Sequence, residues 1–200
     1  MAFVVTLTGP SQCGKSTIRE FFMNKENSKF HPVIFKKYTT RSARQSDDDV
    51  ICVENLPPKC DLVYEQYGVR YGLRFDDLYE HLEKGESPII VLNDVRAVED
   101  VRTALCPQVV SLYLYRQPPN LLQFIEEERR RAKQTMSDNE IINIAQSRFD
   151  KAKSIYRIYI ENIHLFDHVI LNVGDKFFTE KQVDQIVKSL SQKVKELKQG

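Results

Sequence analysis

The stretch Gly9-Pro10-Ser11-Gln12-Cys13-Gly14-Lys15-Ser16 decides the fold expected of this chain. It follows a short apolar, β-branched run over residues 3–8, which predicts a buried strand, and it precedes a helical pattern over residues 16–24. The stretch fits the pattern Gly-x-x-x-x-Gly-Lys-Ser/Thr in full, between a strand and a helix as the pattern requires. We therefore expect a glycine-rich loop that wraps a phosphate group.

The residue types in this loop suit the binding of ATP with Mg²⁺. Gly9 and Gly14 allow the backbone to turn its N–H groups towards an anion, and the helix that begins near Lys15 adds the partial positive charge of its N-terminus. Lys15 would reach the β- and γ-phosphates, and the hydroxyl of Ser16 would bind Mg²⁺. The expected ATP-binding residues are Gly9, Pro10, Ser11, Gln12, Cys13, Gly14, Lys15, Ser16 and Thr17.

Cys13 lies inside the loop, beside Lys15 and a helix N-terminus, and such surroundings lower the pKa of a thiol. Redox control of ATP binding is one interpretation. The alternative, which we favour, is a small residue that the loop tolerates.

Composition narrows the class of protein. The chain has 200 residues, 28% of them charged, with a net charge of +1, so we expect no general attraction to nucleic acid or to a membrane surface. The first eight residues show no secretion signal, and the four cysteines are widely spaced, which is typical of a reducing compartment. We expect a cytoplasmic protein, either a monomer or a homodimer.

Strand and helix patterns alternate along most of the chain, which predicts an α/β fold of the P-loop NTPase type with a parallel sheet and helices on both faces. Strands are expected at residues 3–8, 32–36, 88–92, 109–115 and 167–172. Helices are expected at residues 16–24, 75–84, 95–105, 120–133, 138–162 and 180–198.

Two segments depart from the alternation and indicate inserts within a single domain. Residues 37–72 are polar and broken, with brief strand-like pieces at 50–53 and 62–65. We divide the chain into a core of about residues 1–36, 86–128 and 150–200, an acceptor-binding insert of about 37–85, and a lid of about 129–149.

Further stretches, in chain order, resemble the guanylate kinase family of nucleoside monophosphate kinases. The resemblance covers roughly residues 3–175. Beyond the glycine-rich loop it rests on Tyr38-Thr39-Thr40-Arg41-Ser42-Ala43-Arg44, Tyr71-Gly72, Leu92-Asn93-Asp94-Val95, Tyr113-Leu114-Tyr115 with Gln117-Pro118-Pro119, the arginines Arg129 to Arg131 and Arg148, and the final strand pattern from Phe166 to Asn172.

This resemblance implies transfer of the ATP γ-phosphoryl group to a phosphorylated acceptor. Arg41 and Arg44, three residues apart, would hold the acceptor phosphate with two guanidinium groups, and the Tyr71-Gly72 pair would contribute a phenolic donor. Asp94, at the end of a predicted strand, would bind the acceptor sugar or order Mg²⁺ waters, or else cap the next helix.

The lid arginines are expected to complete the catalytic set. Phosphoryl transfer needs positive charge around the moving oxygens, and the resemblance assigns that role, together with Lys15, to Arg131 and Arg148. Arg129 and Arg130 are expected on a solvated face.

Guanine recognition is where the resemblance fails. Counting back from Tyr71, the family's guanine-reading carboxylate position falls on Leu62, and its hydroxyl position falls on Leu73. Asp61 is one residue away, but neighbouring residues of a strand point to opposite faces, so it would need a bulge to replace the carboxylate. We therefore expect GMP to be a poor acceptor.

Three functions remain open on the sequence alone. The first is a nucleoside monophosphate kinase for a base other than guanine, or with little selectivity. The second is a sugar-phosphate kinase, because the apolar residue after Tyr71-Gly72 and the pair Arg96-Ala97 also resemble the ribose 1,5-bisphosphate phosphokinases. The third is a non-catalytic binding module of the guanylate-kinase-like type, against which the intact Lys15 and Ser16 argue.

Overall fold

The computed structural model describes residues 2–10, 13–25, 30–43, 47–66, 68–117, 120–131 and 136–196. Its strands are β1 Val4–Thr8, β2 Pro32–Ile34, β3 Lys37–Thr39, β4 Val50–Cys52, β5 Leu62–Gln66, β6 Val69–Leu73, β7 Ser87–Val91, β8 Val109–Arg116 and β9 His168–Asn172. Its helices are α1 Lys15–Met23, α2 Phe75–Glu83, α3 Val95–Leu105, α4 Leu121–Arg131, α5 Asp138–Glu161 and α6 Lys176–Glu196.

Five strands form a parallel central sheet in the order β2-β7-β1-β8-β9. β1 is the middle strand, and all five of its residues are buried because helices cover both faces of the sheet. In a parallel sheet the carboxyl ends of the strands lie along one edge, where ligands bind in such folds. The sheet therefore confirms the α/β expectation and brings the loop after β1 to that edge.

Two apolar cores lie on the two faces of the central sheet. Val5 and Leu7 of β1 pack in one core with residues of α1 and α6, whereas Val4 packs in the other core with residues of α2 and α3. This division follows from the period of two along a strand, which sends successive side chains to opposite faces. A run that is mostly apolar and carries no charge, such as residues 3–7, is typical of a doubly covered strand.

The insert expected at residues 37–85 contains a second sheet, with the order β4-β3-β6-β5. β3 pairs parallel with β4 and antiparallel with β6, and β5 and β6 form a hairpin. The register places Lys37, Thr39, Tyr71 and Tyr64 on one face of this sheet, which we call the inner face. Sequence patterns locate β4 and β5 but not β3 and β6, whose residues alternate too briefly to stand out.

The remaining helices lie near their expected positions. α4 and α5 pack on each other through the rings of Phe124 and Phe149, whose centroids are 5.9 Å apart. A capping box starts α5, in which Ser137 and Glu140 exchange hydrogen bonds between side chain and backbone. α6 begins at Lys176 rather than at residue 180, because Asp175 accepts hydrogen bonds from the next N–H groups and starts the helix earlier.

One edge strand of the central sheet is β9, and a side chain of α6 is hydrogen-bonded to it. Gln182 donates to the carbonyl of Leu171 and accepts from its N–H, both at 2.9 Å. These bonds fill both backbone hydrogen-bonding groups of Leu171 that face away from β8. None of the helices in the described ranges is both long and apolar enough to cross a lipid bilayer.

Candidate phosphate-transfer site

The glycine-rich loop leaves β1 and enters α1 in a tightly packed path. Gly14 is the N-cap of α1 and has φ +101° and ψ 21°, a left-handed conformation that favours glycine. At Gly9 an added Cβ would lie 2.7 Å from Sγ of Cys13 and 2.8 Å from the carbonyl oxygen of Leu114. The two glycines thus permit both the turn and the close approach to β8. Ser11 and Gln12 lie outside the described residues.

Asn172, the last residue of β9, braces the loop from the side. Its Nδ2 donates to the carbonyl oxygen of Cys13 at 2.8 Å, and its Oδ1 accepts from the N–H of Gly174 at 3.1 Å. Sequence reasoning used this residue only as part of a strand pattern. A polar residue at the carboxyl end of a parallel strand is the signal that could have identified it.

Lys15 folds back over its own loop. Its Nζ donates to the carbonyl oxygens of Gly9 and Pro10, both at 2.8 Å, and lies 3.9 Å from Sγ of Cys13. Burial lowers the pKa of Lys15, while the nearby Cys13 and Asp49 oppose that change. An ammonium that is partly stripped of water interacts strongly with an anion brought next to it.

The thiol of Cys13 does not have the lowered pKa expected of a redox-sensitive site. The side chain is 1% exposed, and burial raises its pKa more than Lys15 lowers it. A buried thiol of this kind reacts slowly. The structure therefore favours the interpretation of Cys13 as a small residue packed under the loop.

The described part of the loop offers groups that suit a triphosphate and a hard cation. Both glycines are needed by the backbone path, the N-terminus of α1 faces the loop, and Ser16 is exposed on its first turn next to Thr17. The described residues contain no cluster of three or more His, Cys, Asp or Glu side chains that could hold a metal ion alone. Mg²⁺ at this position would therefore need oxygens from Ser16, the nucleotide and water.

Asp94 caps helix α3. Its Oδ1 accepts from the N–H of Ala97 at 3.0 Å, which confirms the capping alternative. A carboxylate has a second oxygen, so this cap leaves room for a further contact. The charge of Asp94 also acts on the phenol of Tyr64, so Asp94 lies close to the inner face.

The inner face carries a pair of stacked tyrosines. Tyr71 lies opposite Tyr64 in the β5–β6 hairpin, with ring centroids 5.2 Å apart and planes at 16°. Burial raises the pKa of Tyr64 well above its ordinary value, so its hydroxyl stays protonated and can donate. Next to Tyr71, a Cβ on Gly72 would lie 2.6 Å from Sγ of Cys60, so this backbone is closely packed. Sequence reasoning missed Tyr64.

The two leucines at the expected guanine-reading positions belong to the hydrophobic core. Leu62 and Leu73 face each other in the hairpin, with exposures of 6% and 0%, and pack with Leu78 of α2. Asp61 lies before β5 and accepts from the N–H of Phe75 at the start of α2, at 2.7 Å. The two leucines therefore present apolar side chains to the core, and Asp61 uses one of its oxygens to hold the start of α2.

Arg41 is held by a carboxylate of its own segment. Its Nη1 and Nη2 donate to the two oxygens of Asp47 at 2.8 and 2.5 Å, and this hydrogen bonding raises the pKa of Arg41. A second bond runs from Nη1 to the carbonyl of Ser42 at 3.1 Å. Arg44, its expected partner, lies outside the described residues.

Two further aspartates bind cations from other elements. Asp48 pairs with Arg19 of α1, and Asp49 lies 3.9 Å from Arg19 and 3.5 Å from Nζ of Lys37. Arg19 and Lys37 are buried, with exposures of 7% and 4%. The aspartate triplet, residues 47–49, thus joins the second sheet to the helix that follows the glycine-rich loop.

The lid arginines are only partly described. Arg148 of α5 pairs with Glu128 of α4, a buried carboxylate, and Arg129 lies 3.8 Å from Asp138. The side chain of Arg131 lies outside the described residues. Arg116, at the end of β8, acts electrostatically on Cys13 and is a cation near the loop that sequence reasoning missed.

Comparison with known proteins bears on the fold. No family model matches this chain, and no curated protein does. Among solved structures, guanylate kinase from Anaplasma phagocytophilum aligns with 94% of this chain and 85% of its own, at 22% identity and a TM-score of 0.59. A shikimate kinase from Bacteroides thetaiotaomicron aligns at 12% identity and a TM-score of 0.40, over 94% of this chain and 98% of its own, which is too weak to support an argument.

The first of these alignments spans nearly the whole chain, and the five-stranded parallel sheet with helices on both faces is consistent with it. This chain therefore has a guanylate-kinase-like fold.

Proposed function

We propose that this chain is an ATP- and Mg²⁺-dependent phosphotransferase that moves the γ-phosphoryl group of ATP to a phosphorylated small molecule. The observation that carries the proposal is the position of Lys15 in a glycine-rich loop at the carboxyl edge of the parallel sheet, within electrostatic reach of Asp49 in the second sheet's loop. A donor site and an acceptor-binding insert that adjoin each other are what direct transfer between two phosphates requires.

The donor half uses the loop and the start of α1. N–H groups held by Gly9 and Gly14 would bind the phosphates, Lys15 would leave its loop carbonyls for the β- and γ-phosphates, and the hydroxyl of Ser16 would bind Mg²⁺. Asp94 would order the water ligands of that ion through its second oxygen. Bound Mg²⁺ would neutralise charge that develops on the β- and γ-phosphates.

The acceptor half uses the insert at about residues 37–85. Arg41, Arg44, Tyr71, Gly72 and Asp94 would bind the acceptor, with Arg41 offering a phosphate the guanidinium edge that Asp47 does not fill. The lid at about residues 129–149 would close over the site, where Arg131 and Arg148 would stabilise the moving phosphoryl group.

The acceptor is a nucleoside monophosphate other than GMP, or one selected without strong base discrimination. A sugar phosphate is the second candidate, and the burial of Leu62 and Leu73 in the core favours it, because no polar group stands at the two base-reading positions. An unmet hydrogen bond costs about 1–3 kcal/mol, so two such losses would lower the use of GMP by tens-fold or more.

One acceptor panel tests the function. ADP release is measured with GMP, AMP, CMP, dTMP and ribose 1,5-bisphosphate at matched concentrations, with Mg²⁺. We expect turnover with at least one acceptor and a low kcat/KM with GMP. If GMP has the highest kcat/KM, the assignment of Leu62 and Leu73 is wrong. If ATP binds but no acceptor turns over, the acceptor lies outside these nucleotides and sugar phosphates, and the binding-module alternative gains support.

Lys15→Ala is the control for the donor site. Loss of this cation should lower phosphoryl transfer at least about a hundredfold, because the charge on the transferred group is no longer balanced. Lys36→Ala, at an exposed lysine beside the second sheet, should leave turnover unchanged. Equal turnover in both variants would remove the proposal.

A further inference from the structure

Lys36 and Lys37 look alike in the sequence, but the structure separates them. Lys36 is exposed, whereas Lys37 begins β3 on the inner face and is 4% exposed. Its Nζ donates to the carbonyl oxygen of Val91 at 2.7 Å, at the carboxyl end of β7. The ammonium therefore reaches from the second sheet to the ligand-binding edge of the central sheet.

Tyr71 is a close neighbour of this ammonium. Nζ of Lys37 lies 5.6 Å from the centre of the Tyr71 ring, and Tyr71 pairs with Thr39, two residues along the same strand as Lys37. The proposed function gives Tyr71 a contact with the acceptor phosphate. A phosphate bound to Tyr71 would therefore lie close to the ammonium of Lys37.

The charge of Lys37 is only partly balanced. Asp49 lies 3.5 Å from its Nζ, and that carboxylate is shared with Arg19. Lys15 and Arg41 lie near enough that their charges disfavour the ammonium further. Burying a charge is costly unless it is paired, and like charges add to that cost. An anion bound among these cations would relieve it.

We propose that Lys37 is an acceptor-binding residue whose ammonium contacts the acceptor phosphate on the inner face, beside Tyr71 and the carboxyl end of β7. The proposal rests on the proposed function and deepens it, because it adds a third cation to the path from donor to acceptor. A cation at this position favours acceptors that carry a dianionic phosphate monoester.

Inorganic phosphate is the probe, titrated into the protein saturated with a non-hydrolysable ATP analogue and Mg²⁺, so that the glycine-rich loop is already filled. We expect Lys37→Met to weaken phosphate binding at least about tenfold, since a charge-assisted hydrogen bond is lost. Lys37→Arg should retain most of the affinity, and the exposed control Lys36→Met should match the wild type. Equal phosphate affinity in Lys37→Met and wild type overturns the proposal.

Two further variants separate ligand binding from a purely structural ion pair. Asp49→Asn removes the partner but keeps the ammonium, so the affinity for phosphate should stay the same or rise. The double variant Lys37→Met/Asp49→Asn removes one charge of each sign, so it serves if Lys37→Met alone fails to fold. We expect the double variant to lose affinity for phosphate. Equal loss in Asp49→Asn and in the double variant would mean that the pair acts only structurally. Binding of the ATP analogue, measured alone, tests the proposed function separately.

Discussion

Gly14 combines φ +101° with a neighbour that leaves no room for a side chain. An added Cβ would lie 2.6 Å from Nδ2 of Asn172, the atom that holds the carbonyl of Cys13. A side chain at this position would therefore cause both backbone strain and steric overlap. Substitution would displace Asn172 from the loop as well as strain the turn.

We expect Gly14→Ala to lower the free energy of unfolding by about 1–3 kcal/mol and to weaken ATP binding. The first effect comes from the left-handed backbone, and the second from the lost brace on the loop. Urea unfolding and titration with ATP and Mg²⁺ measure the two effects.

Gly85→Ala is the matched control. Gly85 has φ +79°, but no atom lies within 4 Å of an added Cβ. It should show the strain without the loss of ATP affinity. If Gly14→Ala binds ATP as well as Gly85→Ala does, Asn172 does not shape the phosphate site.

At the scale of elements, the residue that caps helix α3 also has a proposed role in ligand binding. Asp94 caps the helix through Oδ1 and is also a proposed Mg²⁺ and acceptor residue. Serine caps helices about as well as aspartate but carries no charge. Substitution can therefore separate the helix cap from the proposed role in binding Mg²⁺ and acceptor.

Asp94→Ser should keep the free energy of unfolding within about 0.5 kcal/mol of the wild type while phosphoryl transfer falls. Asp94→Ala should lose about 1 kcal/mol of stability in addition, because the cap is removed. Urea unfolding and ADP release are compared for both variants. Normal turnover in a well-capped Asp94→Ser would reduce Asp94 to its structural role.

The elements differ in how far the sequence predicts them. The buried strands β1, β7 and β8 are rich in apolar and β-branched residues, and the helices have periodic apolar residues, so these are predicted to within a few residues. β3 contains Lys37 and β6 contains Arg70, so neither resembles a strand locally. Their pairing depends on residues far along the chain, which local patterns do not contain.

At the scale of the whole molecule, two lysines beside the phosphate site are withdrawn from water, Lys37 fully and Lys15 in part. Burial lowers the pKa of Lys15 and of Lys37 below the ordinary value of 10.5. Between the lowered value and 10.5 the unfolded chain binds more protons than the folded chain. Raising the pH through that window therefore stabilises the folded protein, as far as these two groups are concerned.

We expect the free energy of unfolding of the wild type, relative to Lys37→Met, to rise as the pH increases towards 10.5. Burial raises the pKa of Cys13 and of Tyr64, which act in the opposite sense at high pH, but both groups are present in both proteins. Urea unfolding across this range measures the difference. A difference that does not change with pH would contradict the burial of a charged Lys37.

The sequence predicts the glycine-rich loop of the candidate site well, but it predicts the residues around that loop only in part. The glycine-rich loop is contiguous, and its chemistry is contained in eight neighbouring residues. Lys37, Tyr64 and Asn172 lie on three different strands and meet only through the fold. The pairing of Arg41 with Asp47 also depends on the path of a loop, which residue types alone do not define.

The two hydrogen bonds between Gln182 and the backbone of Leu171 affect whether another chain can pair with β9. An unpaired edge strand is a template on which a strand from another chain can add, and Val169 and Leu171 are each 42% exposed on this one. Because Gln182 already fills the outward N–H and C=O of Leu171, an incoming strand would have to break two hydrogen bonds before it formed any there. Gln182 of helix α6 thus opposes strand addition at this position of the β9 edge.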